Sequence, residues 1–173
     1  MNQQHSQTLT RTWQISGARN SFLEQVRVGG LDDLGQPVVR FRSAGGGEPL
    51  RDLMRRAVLG EDLLAASYSP FDRIGPFREF GPVYVTVDSP PAGATPEELF
   101  AGDYFGPELV LRRYDQRHWI ADAKRVAKRN AAQLIDIWLA QEGTAFIDAR
   151  FSEYGCFACR FSVGWGNTQG CTA

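Results

Sequence analysis

"NAAQLIDIWLAQEGTAFIDARF", residues 130–151, holds two different periodicities back to back. In its first part Ala131, Leu134, Ile135, Trp138 and Leu139 recur at the spacing of an amphipathic helix face. Asn130 is placed to cap that helix, Gln133 to reach back to it, and Gly143 to end it. After Gly143 the period drops to two. Phe146, Asp148 and Arg150 fall on one face of a strand, and Ile147, Ala149 and Phe151 on the other. A helix that runs directly into an alternating strand is the pattern of a sheet with helices packed on it.

Working outward, strands dominate. Alternation marks Trp13–Ile15, "PVVRFRS" (37–43), "DLLAASYS" (62–69), "PVYVTV" (82–87), "ELVLRRYD" (108–115), "RHWIADAKRVA" (117–127) and "FACRFSV" (157–163). "NSFLEQVRVGG" (20–30) predicts a helix capped by Asn20 or Ser21 and stopped by Gly29-Gly30. Thr95, Pro96 and Glu98 form a capping box at the start of a second short helix that ends near Gly102. "PLRDLMRRAVLG" (49–60) is ambiguous, but Leu50, Leu53, Met54 and Ala57 stand at helical spacing and Pro49 suits a helix start. The expected fold is α+β: a mostly antiparallel or mixed sheet with one main helix at about 130–142 and shorter helices packed on it.

The chain of 173 residues fits a single domain over residues 11–173, with residues 1–10 as a loose polar tail. Its 43% apolar content supplies a core, and its net charge of −1 gives no reason to expect nucleic acid or an anionic membrane as partner. There is no apolar run of membrane-spanning length and no apolar leader core, so a cytoplasmic location is expected. The three cysteines do not read as a disulfide framework.

Cys156 and Cys159 in "EYGCFACRF" (153–161) look at first like a redox pair or half a metal site. The residues that follow alternate like a strand, with Phe157, Cys159, Phe161 and Val163 on one parity and Ala158, Arg160 and Ser162 on the other. A thioredoxin-type thiolate needs a helix N-terminus, and a structural zinc needs four ligands. Cysteines three apart on a strand point to opposite faces. Neither a metal nor a cofactor is therefore expected. "SYSPFDRIGPFREFGP" (67–82) is the stronger candidate: a proline-stiffened connection displaying Tyr68, Asp72, Arg73, Arg78 and Glu79. Arginine forks onto carboxylates and phosphates, and a neighbouring carboxylate orients it or moves a proton. On the strands, Asp148 shares a face with Arg150, and Arg113 a parity with Asp115. His118, beside Trp119 near a turn, reads as a surface residue, and "GGG" at 45–47 lacks the context of a phosphate loop.

Together "PLRDLMRRAVLGEDLLAASYSPF", "GPFREFGPVYV", "LRRYD", the later Asp-Ala and "GCFACRF" resemble the bacterial family of domain of unknown function 1203, in order from about residue 48 to 163. Pro76, Phe77, Arg78, Glu79, Gly81 and Pro82 fall on its central segment, Tyr114, Asp115 and Asp122 on the next, and Gly155, Cys156, Phe157 and Arg160 on the last. The resemblance implies a small single-domain protein and carries no assigned activity. It also marks departures. Leu50 and Leu53 stand where relatives often have cysteines, and Asp148-Ala149-Arg150-Phe151 where they have a His-x-His-Asn run, so any metal or base at those positions is lost here.

The residues lead to a polar pocket for an anionic small molecule. Arg78, Arg150, Tyr68 and Cys156 would contact the ligand, and Glu79 and Asp148 would orient the arginines or transfer a proton. The rival expectation is a protein-interaction module that uses Phe71, Ile74, Phe77 and Phe80 of loop 70–82 as exposed anchors.

Overall fold

The computed structural model describes residues 9–88 and 94–167. The expected strands are all present and assemble into two five-stranded sheets, not one. The first contains β1 (Leu9–Ser16), β7 (Glu108–Asp115), β8 (Ile120–Ala127), β9 (Thr144–Phe151) and β10 (Phe157–Asn167) in the order β1-β10-β9-β7-β8, antiparallel throughout. The second contains β2 (Val39–Arg42), β3 (Pro49–Leu50), β4 (Arg55–Arg56), β5 (Asp62–Tyr68) and β6 (Gly81–Thr86) in the order β2-β5-β6-β3-β4, with a parallel β3–β6 step. β1 starts at Leu9, so the last two residues of the expected tail belong to a strand; residues 1–8 lie outside the described part.

The helices are α1 (Asn20–Glu24, continued by a wider π-turn over Gln25–Gly29), α2 (Pro96–Ala101) and α3 (Lys128–Ala140), and only α3 is long. The capping box of α2 forms as the sequence requires: Thr95 Oγ1 accepts from the Glu98 amide, and the Thr95 amide donates to the Glu98 carboxylate. The other caps differ from expectation. Arg19 precedes α1, and Ala127 takes the cap position of α3, three residues before Asn130; neither makes a side-chain cap. Strand β8 runs straight into α3, and burial of Ala131, Ile135, Trp138 and Leu139 replaces the cap as the source of stability.

Segment 49–60 is not a helix. Leu50 to Met54 close one helical turn, with the Met54 amide bonded to the Leu50 carbonyl at 2.9 Å, and Met54 then turns left-handed at φ 50° to start β4. The helical spacing is real for that single turn, which serves as the β3–β4 connection.

The main core lies between the first sheet and helices α2 and α3, and includes Leu109, Leu111, Ile147, Ala149 and Phe161 against Ile135, Trp138 and Leu139. A second core packs Phe22, Leu23 and Val26 of the α1 helix onto Leu64, Ala66, Val83 and Val85 of the second sheet. Phe157 of β10 joins that second core, 5.5 Å from the Tyr68 ring, so the two sheets meet there. Residues 69–80 fold over the face of the first sheet opposite the helices. Phe71 packs on Tyr114 and Phe146 at 5.3 and 6.1 Å, and Phe77 stands against Trp119. Strand β9, third of five, is therefore buried on both faces from Phe146 to Phe151, charged residues included.

Candidate functional site

The face of β9 beneath the loop carries Phe146, Asp148 and Arg150, as the alternation requires. Register places Tyr114, Arg112 and Val110 of β7 opposite them. It is thus Arg112, not Arg113, that joins this face; Arg113 turns away to Thr144 Oγ1. On β10 a bulge between Phe157 and Cys159 breaks the expected parity. Phe157 shares the face of Arg160, while Ala158 and Cys159 both enter the helix-side core. The bulge carbonyls are satisfied from outside the sheet: the Arg51 Nε–H donates to Phe157 at 2.8 Å and the Tyr104 hydroxyl to Ala158 at 2.9 Å. Cys159 is fully buried, with burial pushing its thiol well above the usual range, and Cys156 sits half-buried before the strand. Both thiols are free.

Asp148 is completely buried. The Arg160 fork grips it at 2.7 and 3.0 Å, and the guanidinium lies 3.5 Å from the centre of the Phe146 ring. Burial pushes the Asp148 carboxyl up, and the charges of Arg160 and Arg150 pull the other way. Beside this pair, Glu79 comes down from the loop. Its carboxylate accepts from Arg150 Nη2 and, at 3.2 Å, from Arg112 Nη1. Arg150 also donates to the Gly155 carbonyl at 2.8 Å. Three arginines (Arg112, Arg150, Arg160) thus share two carboxylates (Glu79, Asp148) on this covered face.

Two adjacent hollows open along the seam. The larger, of about 460 Å³, is lined among others by Arg19, Tyr68, Arg73, His118, Phe157 and Arg160, with Asp72 as the carboxylate on its wall. The smaller, of about 180 Å³, is lined by Glu79, Arg150, Cys156, Tyr154 and Phe80, and shares Tyr68, Pro70 and Phe157 with the first. Arg160 spends Nε and Nη2 on Asp148, which leaves Nη1 without a partner among the described residues, on the wall of the larger hollow. Arg73 is exposed and makes no ion pair among the described residues. Arg19 grips Asp33 at 2.8 and 2.9 Å and stacks on the Tyr68 ring, whose hydroxyl accepts from the Arg19 amide. Burial raises the Tyr68 phenol above its ordinary value.

His118 belongs to this wall, contrary to its reading as a surface residue. Asp115 Oδ1 accepts from the Arg117 and Trp119 amides, and this turn holds His118 at φ 62°, a left-handed conformation that costs strain. Its imidazole stands edge-on to Phe146, with Nδ1 buried and unpartnered. Burial, helped by the charges of Arg73 and Arg160, holds it below the usual 6.5, so it is neutral at neutral pH.

Of the six expected site residues, Tyr68, Glu79, Arg150 and Cys156 come together around the smaller hollow. The other two do not line either hollow. Arg78 is exposed and stacks on Phe80 at 5.0 Å. Asp148 is fully buried behind Arg160 and holds that guanidinium through both carboxylate oxygens. The anchor patch is also reduced: Phe71 is buried and Phe77 half-buried, while Ile74 and Phe80 stay exposed. Among the described residues no group of three His, Cys, Asp or Glu could hold a metal ion, and Cys171 lies outside them. No helix among them is long and apolar enough to cross a membrane.

This covered sheet face falls within a recognised family. The profile of the family described as protein of unknown function DUF1203 matches residues 47–162, most of the chain, and the protein belongs to it. No curated protein and no solved structure matches the chain.

Proposed function

We propose that the protein binds a small anionic molecule, a carboxylate or phosphate ester, in the larger hollow beside Tyr68. The observation that carries this reading is Arg160. Its fork is fixed by a buried carboxylate and by stacking on Phe146, and one donor is left on the wall. A guanidinium held in place loses little entropy on binding and reads planar oxyanions well. Arg73 adds an unpaired charge, and Tyr68 and Phe157 provide apolar surface. Glu79 ties loop 69–80 to the sheet through Arg150 and Arg112, and so shapes the hollow without facing the anion alone. Neutral His118 can accept a proton from a bound acid.

Thermal-shift screening of the full chain against carboxylate and phosphate metabolites tests this. A ligand at a hundred times its dissociation constant adds about 2.7 kcal/mol of stability. Arg73→Ala and Arg160→Met should each lose most of the ligand-induced shift measured against their own unliganded baseline, and Arg78→Ala should keep it. Responses equal to wild type in both of the first two variants would refute the site.

A further inference from the structure

A third cavity, of about 460 Å³, lies across Cys156 from the Tyr68 hollows, and Arg51 and Arg56 of the β3–β4 hairpin stand on its wall. Arg51 is only 2% exposed. Its Nε donates to the Phe157 carbonyl and Nη1 to the Pro49 carbonyl, but Nη2 has no partner and no carboxylate pairs with it among the described residues. Arg56 repeats the pattern: Nε and Nη1 reach the Asp103 and Gly47 carbonyls, and Nη2 is unbonded. Both guanidinium carbons sit over the same Phe151 ring, at 4.9 and 5.3 Å. Carbonyl dipoles solvate these cations but do not neutralise them, and for the buried Arg51 a charge without a counter-ion is costly. A carboxylate bridging the two Nη2 groups would remove that cost.

The rest of the wall narrows the ligand. Glu48, Glu108 and Glu153 line the same cavity. Glu48 accepts from Ser43 Oγ and Glu108 pairs with Arg125, while Glu153 is exposed and unpaired among the described residues. Three carboxylates disfavour a multiply charged anion and offer seats for an ammonium. The amides of Gly46 and Gly47, which could have cradled a phosphate, are already donated to Ser43 Oγ and the Ala57 carbonyl. Tyr84 and Phe151 add aromatic surface to the same wall. We propose that this cavity is a second, separate site for a small zwitterion of the α-amino-acid class. Its carboxylate goes to Arg51 and Arg56, its ammonium to the Glu153 side, and its side chain to the aromatic wall.

The test is saturation-transfer NMR on the full chain with the twenty free α-amino acids, followed by calorimetry of the strongest binder beside its deaminated acid and decarboxylated amine. We expect at least one amino acid to bind, both truncated analogues to bind at least tenfold more weakly, and Arg56→Gln to weaken the amino acid at least tenfold. Glu153→Gln should erase its preference over the deaminated acid, and Arg73→Ala, at an exposed residue of the Tyr68 hollow, should bind like wild type. Both varied residues at this cavity lie near the surface, so the fold is retained; Arg51 is left alone because it supports the β10 bulge. Failure of all twenty amino acids to bind would overturn the proposal. So would a deaminated acid as tight as the parent, or Arg56→Gln and Glu153→Gln titrations indistinguishable from wild type. Loss of binding in Arg73→Ala would also overturn it, by moving the amino acid into the Tyr68 hollow, and would leave the reading of that hollow standing.

Discussion

Consider Asp148→Asn, which keeps the shape of the side chain and removes its charge. Asp148 has no solvent exposure, and its partner Arg160 retains 21%. Breaking a fully buried ion pair costs about 3–5 kcal/mol, because the remaining charge is stranded, whereas an exposed pair is worth about 0–1. The residual exposure of Arg160 and its stacking on Phe146 place the cost at the lower end, about 3 kcal/mol. For a chain of this size that corresponds to a melting temperature lower by about 6–12 °C. Urea denaturation followed by tryptophan fluorescence measures it, with the slope checked against wild type. The companion measurement is the cycle of Asp148→Leu, Arg160→Met and the double variant Asp148→Leu/Arg160→Met. If the stranded charge is the cause, the double variant is less destabilised than the sum of the singles by about 2 kcal/mol or more. A Asp148→Asn effect under about 1 kcal/mol, or an additive cycle, would refute the account of this pair.

Other consequences are sharper still in geometry. A methyl group on Gly17 would lie 1.8 Å from the Arg51 carbonyl oxygen, where the chain leaving β1 meets the β3–β4 connection; Gly17→Ala should cost about 3 kcal/mol in urea denaturation, while Gly75→Ala, which meets open space, should stay within about 0.5. Arg55 holds Glu61 below its ordinary value, and at Asp32 burial pushes up but the amides of Gln36, Ser67 and Leu34 outweigh it and the carboxyl is lowered. Depressed carboxylates contribute stability that is present above their unfolded values and lost as pH falls through their folded ones, so the urea midpoint should drop steeply below about pH 4. His118 adds a shallower fall that begins near pH 6.5, because the unfolded state takes up its proton first; His118→Gln should remove that phase alone. In thiol labelling Cys156 should react in the native state and Cys159 only on unfolding, and a Cys156→Ser variant whose native labelling matches wild type would contradict this.

The strands and the long helix were legible because period-two and period-3.6 patterns report directly on burial. Four features were not. The β10 bulge inserts Ala158 without any change in the local alternation, and it alone decides that Phe157 shares a face with Arg160. Segment 50–54 has helical spacing but only one turn of helix, since the hairpin pairing of β3 and β4 wins over propensity. Arg112 and Arg113 are adjacent, and only the register with β9 tells which faces Asp148. Glu79 reads as the partner of Arg78 along the chain, yet pairs with Arg150 seventy-one residues away. In each case a long-range contact decides between two locally equal options. Charge on a strand face is informative wherever it ends up: Tyr68, Glu79, Arg150 and Cys156 converge around one hollow, Arg78 stays outside it, and the ligand-facing part is proposed for Arg160 and Arg73 instead.

A strand buried on both faces would be most stable with apolar residues throughout, and replacing a buried ion pair by well-packed hydrophobic groups is often neutral or stabilising. Strand β9 nevertheless carries Asp148 and Arg150 under loop 69–80, and the neighbouring strands add Arg112 and Arg160. If that face only held the fold together, Asp148→Leu/Arg160→Met would lose stability and keep its anion binding. A fixed guanidinium that serves a ligand separates the two quantities the other way. The double variant should approach or exceed wild-type stability in urea, since no charge is stranded, and it should give none of the anion-induced thermal shift of wild type, since the fixed guanidinium is gone. A double variant that is as stable as wild type and binds the anion equally well would show that the pair serves neither purpose. One that binds but is several kcal/mol less stable would assign the pair to the fold alone.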